Sequence, residues 1–256
     1  MNNILAIDIG NTNISYAFFK GKKIIKKGKI STQEKYSLKK FASFYFGKIE
    51  DVIISSVVPT SLLKLKKELR AKFPKRPLVL GENIKVSLVN LYKKPSQVGQ
   101  DRLVGAYAGH MLYGGGLLII DFGTAVTFDL VSFKGEYMGG MIFPGLKTSF
   151  NALCQRAALL PKKMRLVKPK ELIGRTTEES IRSGLYSGFA GLTANIVHTF
   201  RKEYGRRLKV IVTGGDADRI YPLIKDICIL EPDLTLIGLK MIYDNRLKIE
   251  RKNKII

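Results

Sequence analysis

Cysteine and histidine are scarce in this 256-residue chain. Its two cysteines, Cys154 and Cys228, are too few for a disulfide framework and form no Cys-x-x-Cys pair, so both read as core thiols in a reducing compartment. His110 and His198 stand far apart in sequence, which leaves no zinc-type ligand set. Acidic residues are also short: 21 Asp and Glu face 44 Lys and Arg, a formal charge of +23. A basic surface favours anionic partners. The positive residues are scattered over 22–29, 64–76, 162–170, 201–209 and 246–254, with no RNA-binding motif or interleaved aromatics. They read as a solvated lysine-rich surface, and nucleic acid is not an expected partner.

Targeting and membrane signals are missing too. The N-terminus has no basic region, and Asp8 interrupts the first apolar run, which excludes a signal peptide. Residues 103–120 carry no formal charge, but five glycines fall among them, three consecutive at 114–116. That stretch divides into a buried helix, a glycine turn and a strand, so no membrane partner is expected and the predicted location is cytoplasmic. Neither Gly-x-x-x-x-Gly-Lys-Ser/Thr nor a strand-to-helix Gly-x-Gly-x-x-Gly is present, which argues against P-loop and Rossmann sites.

What the chain does have is a repeated turn. The run Ile4 to Ile7 reads as a buried strand and leads into Asp8-Ile9-Gly10-Asn11-Thr12-Asn13, followed by a second strand over 14–19. An acidic residue, a glycine and small polar side chains between strands can turn backbone N–H groups toward a phosphate while the carboxylate meets its metal. One copy alone is ordinary turn chemistry. The pattern returns at Ile120-Asp121-Phe122-Gly123-Thr124, and Gly214-Gly215 follows a later strand. Asp8 stands 13 residues before the turn glycine Gly21, and Asp121 stands 14 before Gly135. This internal repeat predicts two similar α/β domains, residues 1–113 and 114–256, facing one another across a ligand cleft.

Between the copies, helices are predicted over 38–46 and 62–73, the latter capped by Thr60 or Ser61, with strands over 52–58 and 77–80. Gly99-Gln100-Asp101-Arg102 heads a helix running to about Met111. After the second hairpin and a third strand over 137–143, the chain turns mainly helical. Thr176 to Glu179 has capping-box form, a strand is predicted over 208–213, a helix over 217–227, and a final helix over 233–243 before a basic tail expected to fray.

In combination these motifs resemble the type III pantothenate kinases of the acetate kinase, sugar kinase, Hsp70 and actin superfamily. The resemblance runs to about Leu239. It rests on the Asp8 and Asp121 turns, Tyr92-x-x-Pro95-x-x-Val98-Gly99-x-Asp101-Arg102, Gly139-Gly140-x-Ile142-x-Pro144-Gly145, Leu159-Leu160-Pro161, Thr177-x-x-Ser180-Ile181-x-x-Gly184 and Thr213-Gly214-Gly215-Asp216. It implies a duplicated ribonuclease H-like (actin-like ATPase) fold and ATP-dependent phosphorylation of the 4′-hydroxyl of pantothenate, the first step toward coenzyme A. ATP would be held by Asp8, Ile9, Gly10, Asn11, Thr12, Asn13, Ile14 and Ser15, with Thr124 a further contact, and Asp8 would also meet Mg²⁺. Asp121 would bind a monovalent cation, K⁺ or NH₄⁺. Tyr92, Gly99, Gln100, Asp101, Arg102 and Thr177 would meet pantothenate, with Asp101 as general base. From the residues alone, Asp101 reads instead as a helix cap or a partner of Arg102, and it is its place in the family motif that implies the catalytic role. The family also implies a homodimer.

Two positions depart from the family pattern: Tyr16-Ala17 stand where glycine is common, and Phe143 replaces a small residue before Pro144-Gly145. A rival of another class is a regulatory protein of the Bvg accessory factor kind. Retention of Asp8, Asp101 and Asp121 favours the kinase.

Overall fold

The computed structural model describes residues 2–33, 49–71, 73 and 75–253. The helix expected over 38–46 lies outside them. The chain forms two compact units, Met1–Met111 with Leu234–Ile256, and Leu112–Asp233.

In the first unit β1 (Asn3–Ile9), β2 (Asn13–Lys20) and β3 (Lys23–Ser31) form an antiparallel meander, and β4 (Asp51–Ser56) and β5 (Leu78–Val79) add in parallel beside β1. The order is β3-β2-β1-β4-β5. Alternation along β1 sends Leu5, Ile7 and Ile9 to one face, where Leu65 and Leu69 of α1 (Pro59–Arg70) and Phe73 complete a core. Helix α1 starts at Pro59, not at the predicted Thr60 or Ser61 cap. The fixed φ and missing N–H of proline suit the first helical position, and Val58 precedes it without a side-chain cap bond.

Ile4 and Ala6 face the other way, with Ala17, Phe19 and Ile53. Val104 and Tyr107 of α2 (Gln100–Tyr113) cover them, together with Leu236, Leu239, Ile242 and Tyr243 from the end of the chain. The departure of Tyr16 from the family pattern is absorbed locally. Tyr16 pairs with Gly28 on β3, and a Cβ at position 28 would come within 2.5 Å of the Tyr16 hydroxyl. A cross-strand glycine makes room for the ring.

The second unit repeats the plan. β6 (Leu117–Phe122), β7 (Ala125–Val131) and β8 (Tyr137–Pro144) form the meander, and β9 (Lys209–Thr213) and β10 (Ile229–Leu230) extend it in parallel. Read from its β8 edge the order is β8-β7-β6-β9-β10, matching the first sheet strand for strand. Leu118, Ile120, Phe122, Val126, Phe128, Val210 and Val212 share one face. It is packed by Tyr186, Phe189, Val197 and Phe200 of α4 (Thr177–Tyr204) and by Ala217, Ile220 and Ile224 of α5 (Ala217–Ile224). Helix α3 (Leu146–Arg156) follows β8 directly. Thr176 caps α4 by accepting from the Glu179 N–H at 3.2 Å, while the Glu179 carboxylate accepts from the Arg175 N–H at 2.9 Å, one residue before the partner a capping box requires.

The final helix, α6 (Leu234–Asn253), runs ten residues past the predicted end and belongs to the first unit, whereas the sequence reading placed all of 114–256 in the second. Its apolar stripe fits the bare face of the first sheet. Gly238 lets α2 approach: a Cβ there would stand 2.7 Å from Val104 Cγ1 and 2.9 Å from Ala108 Cβ. The Tyr243 hydroxyl donates to Asp51 Oδ2 at 2.7 Å and accepts from Asn2 Nδ2 at 3.2 Å, tying the helix to the starts of β1 and β4. Among the described residues no helix is long and apolar enough to cross a membrane.

Candidate active site

Each sheet carries an aspartate one residue before the end of its central strand. Asp8, on β1, lies in register with Ser15 on β2 and Ser55 on β4. Register partners on adjacent strands share a face, so these three side chains form a polar row at the end of the Ile4–Ala6 stripe. Beyond it the chain turns tightly. The Gly10 N–H donates to the Asn13 carbonyl at 2.9 Å, and Asn11, Thr12 and Asn13 remain exposed. Thr32, just past β3, fastens this turn: its N–H donates to the Thr12 carbonyl at 2.9 Å and its hydroxyl to the Gly10 carbonyl at 2.8 Å. Sequence reasoning missed Thr32, because a fastener from the edge strand shows only once the register is known.

The first helical turn of α2 reaches the same face. The Val57 N–H donates to the Ile9 carbonyl at 3.0 Å, and a Cβ at Gly99 would meet Val57 Cγ1 at 3.6 Å and run into the Asp101 carboxylate. Val57 shares the parity of Ser55, so Gly99 and Asp101 lie over the side of the sheet that bears Asp8. A side chain at 99 would have to displace the Asp101 carboxylate. Asp101 Oδ1 accepts from the Arg102 N–H at 2.8 Å, a local bond of the kind expected where unpaired N–H groups open a helix. Gln100 packs against Gly81, which has φ +81°. Tyr92 is half-buried, and its N–H donates to Asn90 Oδ1 at 3.0 Å.

In the second unit Asp121 lies in register with Thr127 on β7 and Thr213 on β9. Here three sequence motifs converge. The Gly123 N–H donates to the Ala125 carbonyl at 3.0 Å, closing a shorter turn. Gly214, at φ +104°, crosses so close to β6 that a Cβ would collide with Asp121 Oδ1 and stand 2.5 Å from the Phe122 carbonyl oxygen. Gly145 crosses on the turn itself, where a Cβ would collide with the Gly123 carbonyl and lie 2.6 Å from that of Thr124. The Thr148 hydroxyl donates to the Thr124 carbonyl at 2.7 Å, and the Asp216 N–H to the Phe122 carbonyl at 2.9 Å. Beside Thr127 lies a buried network in which Asp129 accepts from the Tyr137 hydroxyl at 2.7 Å and from Thr127 Oγ1 at 2.9 Å.

Thr177 stands exposed at the first position of α4. Phe143 is exposed on edge strand β8 and meets the Phe189 ring edge-on, centroids 5.8 Å apart. The cysteines are buried, and burial pushes the Cys228 thiol up to about 11, well away from a reactive thiolate. Buried side-chain atoms without a hydrogen-bond partner among the described residues include His110 Nδ1 and the hydroxyl of Ser55. Ser55 is fully buried. An unsatisfied buried hydroxyl costs about 1–3 kcal/mol.

Two acidic turns stand on sheets of the same strand order, one open and one pinned by glycines. Residues 4–199 match the family model described as type III pantothenate kinase. The type III pantothenate kinase of Geobacter sulfurreducens is 41% identical over 251 residues, covering 94% of this chain and 98% of that one. Among solved structures, a conserved Campylobacter jejuni protein assigned to the Baf family of transcriptional activators superposes with a TM-score of 0.60 at 21% identity, covering 95% of this chain and 99% of that one. MreB 5 of Spiroplasma citri, bound to AMPPNP, gives 0.51 at 11% identity with 99% of each chain covered. These two structural likenesses show the actin-like ATPase fold alone. Sequence identity decides the rest: the chain belongs to the type III pantothenate kinase family, the enzymes that phosphorylate pantothenate in coenzyme A biosynthesis.

Proposed function

We propose that Asp101 is the general base that accepts the proton of the pantothenate 4′-hydroxyl as the γ-phosphoryl group of ATP is transferred to that oxygen. The observation that carries this reading is the placement of Gly99 and Asp101 over the face of the first sheet that bears Asp8. Phosphoryl transfer depends chiefly on positioning and charge stabilisation, and a carboxylate near the phosphate-binding turn suits an alcohol nucleophile. Asp8 and the exposed turn 10–13 hold the phosphate end of ATP, and Thr124 contributes a second contact. Arg102 suits the pantothenate carboxylate, with Tyr92, Gly99, Gln100 and Thr177 completing the substrate contacts.

The residues fit the implied cations. Among the described residues there is no cluster of three His, Cys, Asp or Glu that could cage a resident metal. Mg²⁺ bound with a nucleotide needs only one or two carboxylates beside phosphate and water, which Asp8 satisfies. Its chemistry there is neutralisation of phosphate charge. Asp121 Oδ1 and the Phe122 carbonyl, gathered beneath Gly214, form an oxygen-rich corner suited to K⁺ or NH₄⁺.

The assembly is a homodimer in the cytoplasm. Edge strand β8 exposes Met138, Met141, Ile142 and Phe143, an apolar edge that a lone chain leaves as a liability. On α4, a Cβ at Gly184, Gly188 or Gly191 would meet open space, leaving a smooth surface for close approach. Sedimentation at micromolar concentration should give twice the 28.7 kDa chain mass.

The decisive experiment is Asp101→Asn, assayed by pantothenate-dependent ADP release with Mg²⁺ and K⁺ or NH₄⁺. Turnover should fall by roughly 10²–10⁴-fold while both substrates still bind. Full activity would return Asp101 to the role of helix cap. Wild-type protein releasing no ADP but binding duplex DNA at physiological salt would instead support the regulatory reading.

A further inference from the structure

The buried hydroxyl of Ser55 has the register of a working residue. Ser55 is the parallel-strand partner of Asp8, and Thr213 is the parallel-strand partner of Asp121. On the antiparallel side the partners are Ser15 and Thr127. Each aspartate is therefore flanked on both neighbouring strands by a side chain bearing a hydroxyl. The remaining register pairs of β1 and β4 are Ile4–Asp51, Leu5–Val52, Ala6–Ile53, Ile7–Ile54 and Ile9–Ser56, so a hydroxyl facing into the sheet beside a carboxylate occurs only at Asp8 along that pair. Ser55 is 0% exposed and Thr213 4%. Packing does not require a hydroxyl at 55: the same stripe of β4 holds Ile53 within an apolar cluster, and Ser55 Oγ has no hydrogen-bond partner among the described residues.

We infer that Ser55 is a positioning residue for Asp8: when Mg²⁺–ATP binds, Ser55 Oγ–H donates to one oxygen of the Asp8 carboxylate and so directs the other toward the metal–phosphate unit. Adjacent strands lie about 4.8 Å apart, within reach of a serine hydroxyl and a carboxylate on facing rotamers. A buried hydroxyl without a partner among the described residues that donates to the Asp8 carboxylate removes the cost of an unmade bond and so favours the bound arrangement. The inference rests on the reading of Asp8 as the metal–phosphate carboxylate.

The test separates hydroxyl from packing. Ser55→Ala, Ser55→Cys and Ser55→Thr are compared with wild type and Asp8→Asn by thermal unfolding without ligand, by calorimetric titration with Mg²⁺–ATP in the absence of pantothenate, and by the Mg²⁺ concentration giving half-maximal activity. Ser55→Ala is expected to unfold at the wild-type temperature or above it, while its Mg²⁺–ATP dissociation constant and its Mg²⁺ requirement each rise about tenfold, the scale of effect for outer-shell partners of a metal ligand. Ser55→Cys, close in size but a weak donor, should bind as poorly as the alanine variant. Ser55→Thr restores the hydroxyl and should bind within about threefold of wild type even where its added methyl lowers the unfolding temperature. Wild-type Mg²⁺–ATP binding by Ser55→Ala overturns the inference. So does a lowered unfolding temperature or failure to fold, because the hydroxyl would then have a structural partner in the empty protein. If Asp8→Asn binds Mg²⁺–ATP as wild type does, the assignment of Asp8 fails; if only the Ser55 variants are unaffected, the inference fails alone.

Discussion

The two sheets share a strand order but finish their acidic turns differently. After β1 the turn spans residues 10–12 and is fastened from one side by Thr32, while Asn11, Thr12 and Asn13 stay exposed. After β6 the turn is only Gly123-Thr124, and Gly145 and Gly214 cross it so closely that neither admits a Cβ. An open turn with residues 11–13 exposed suits an arriving phosphate. A compact corner of carboxylate and carbonyl oxygen suits a small cation. The same acidic turn occurs twice, and the flanking glycines and Thr32 give the two copies different shapes, to which the proposed roles correspond.

The sharpest way to break that division is to neutralise each aspartate. Asp8→Asn should reduce turnover at fixed Mg²⁺ by about 10²–10³-fold and raise the Mg²⁺ requirement, the scale seen when a preorganised charge partner is removed. Asp121→Asn should leave the Mg²⁺ requirement alone and remove activation by K⁺ or NH₄⁺. Titrating each variant with both cations checks this, and exchanged phenotypes would reverse the assignment.

Next comes the glycine contrast. Gly214→Ala places a Cβ at φ +104° against Asp121 and Phe122, and should cost about 2–4 kcal/mol in urea unfolding. Gly10 has no positive φ, and its Cβ would meet only the Asn13 carbonyl at 3.2 Å, so Gly10→Ala should cost about 1 kcal/mol. Equal losses would mean that the two turns are equally tight.

The smallest effect is alkaline. Burial raises the Cys228 thiol in the second unit from 9.0 to about 11, and burial followed by the bond to Asp51 raises the Tyr243 phenol in the first. Both groups keep their protons in the fold at a pH where the unfolded chain releases them. Their contribution is complete below pH 9 and is lost as pH rises, for Cys228 through about 11. Cys228→Ala should flatten that fall, by on the order of 2 kcal/mol or less at pH 11, and Tyr243→Phe should flatten it further while lowering neutral stability by about 1 kcal/mol. Unfolding free energies at pH 8 and pH 11 provide the check.

Much of this was legible in the sequence because the signals were local. Apolar runs ending in Asp-x-Gly marked β1 and β6, and spacing to Gly21 and Gly135 marked the meanders. The family motifs located the Gly99–Arg102 segment before any geometry was known. Besides the Thr32 fastener, three things were not legible. The allegiance of α6 depends on which sheet face lacks cover, a property of the assembled first unit. Convergence of Gly145 and Gly214 on Asp121 depends on crossings between segments distant in sequence. Ser55 sits in Val52-Ile53-Ile54-Ser55-Ser56-Val57-Val58, where hydropathy cannot say which serine faces Asp8; only register does.

The return of α6 to the first sheet also bears on how the protein is made. Residues 112–233 are continuous, so the second unit has all its strands and helices once that stretch has left the ribosome. The first unit is begun earlier but finished later, since the cover for Ile4, Ala6 and Phe19 includes Leu239 and Tyr243, which follow the whole second unit in the chain. During translation an apolar sheet face waits while a whole second unit is built. A chain ended at residue 233 would carry every strand and helix of the second unit joined to a first sheet that lacks the cover of α6.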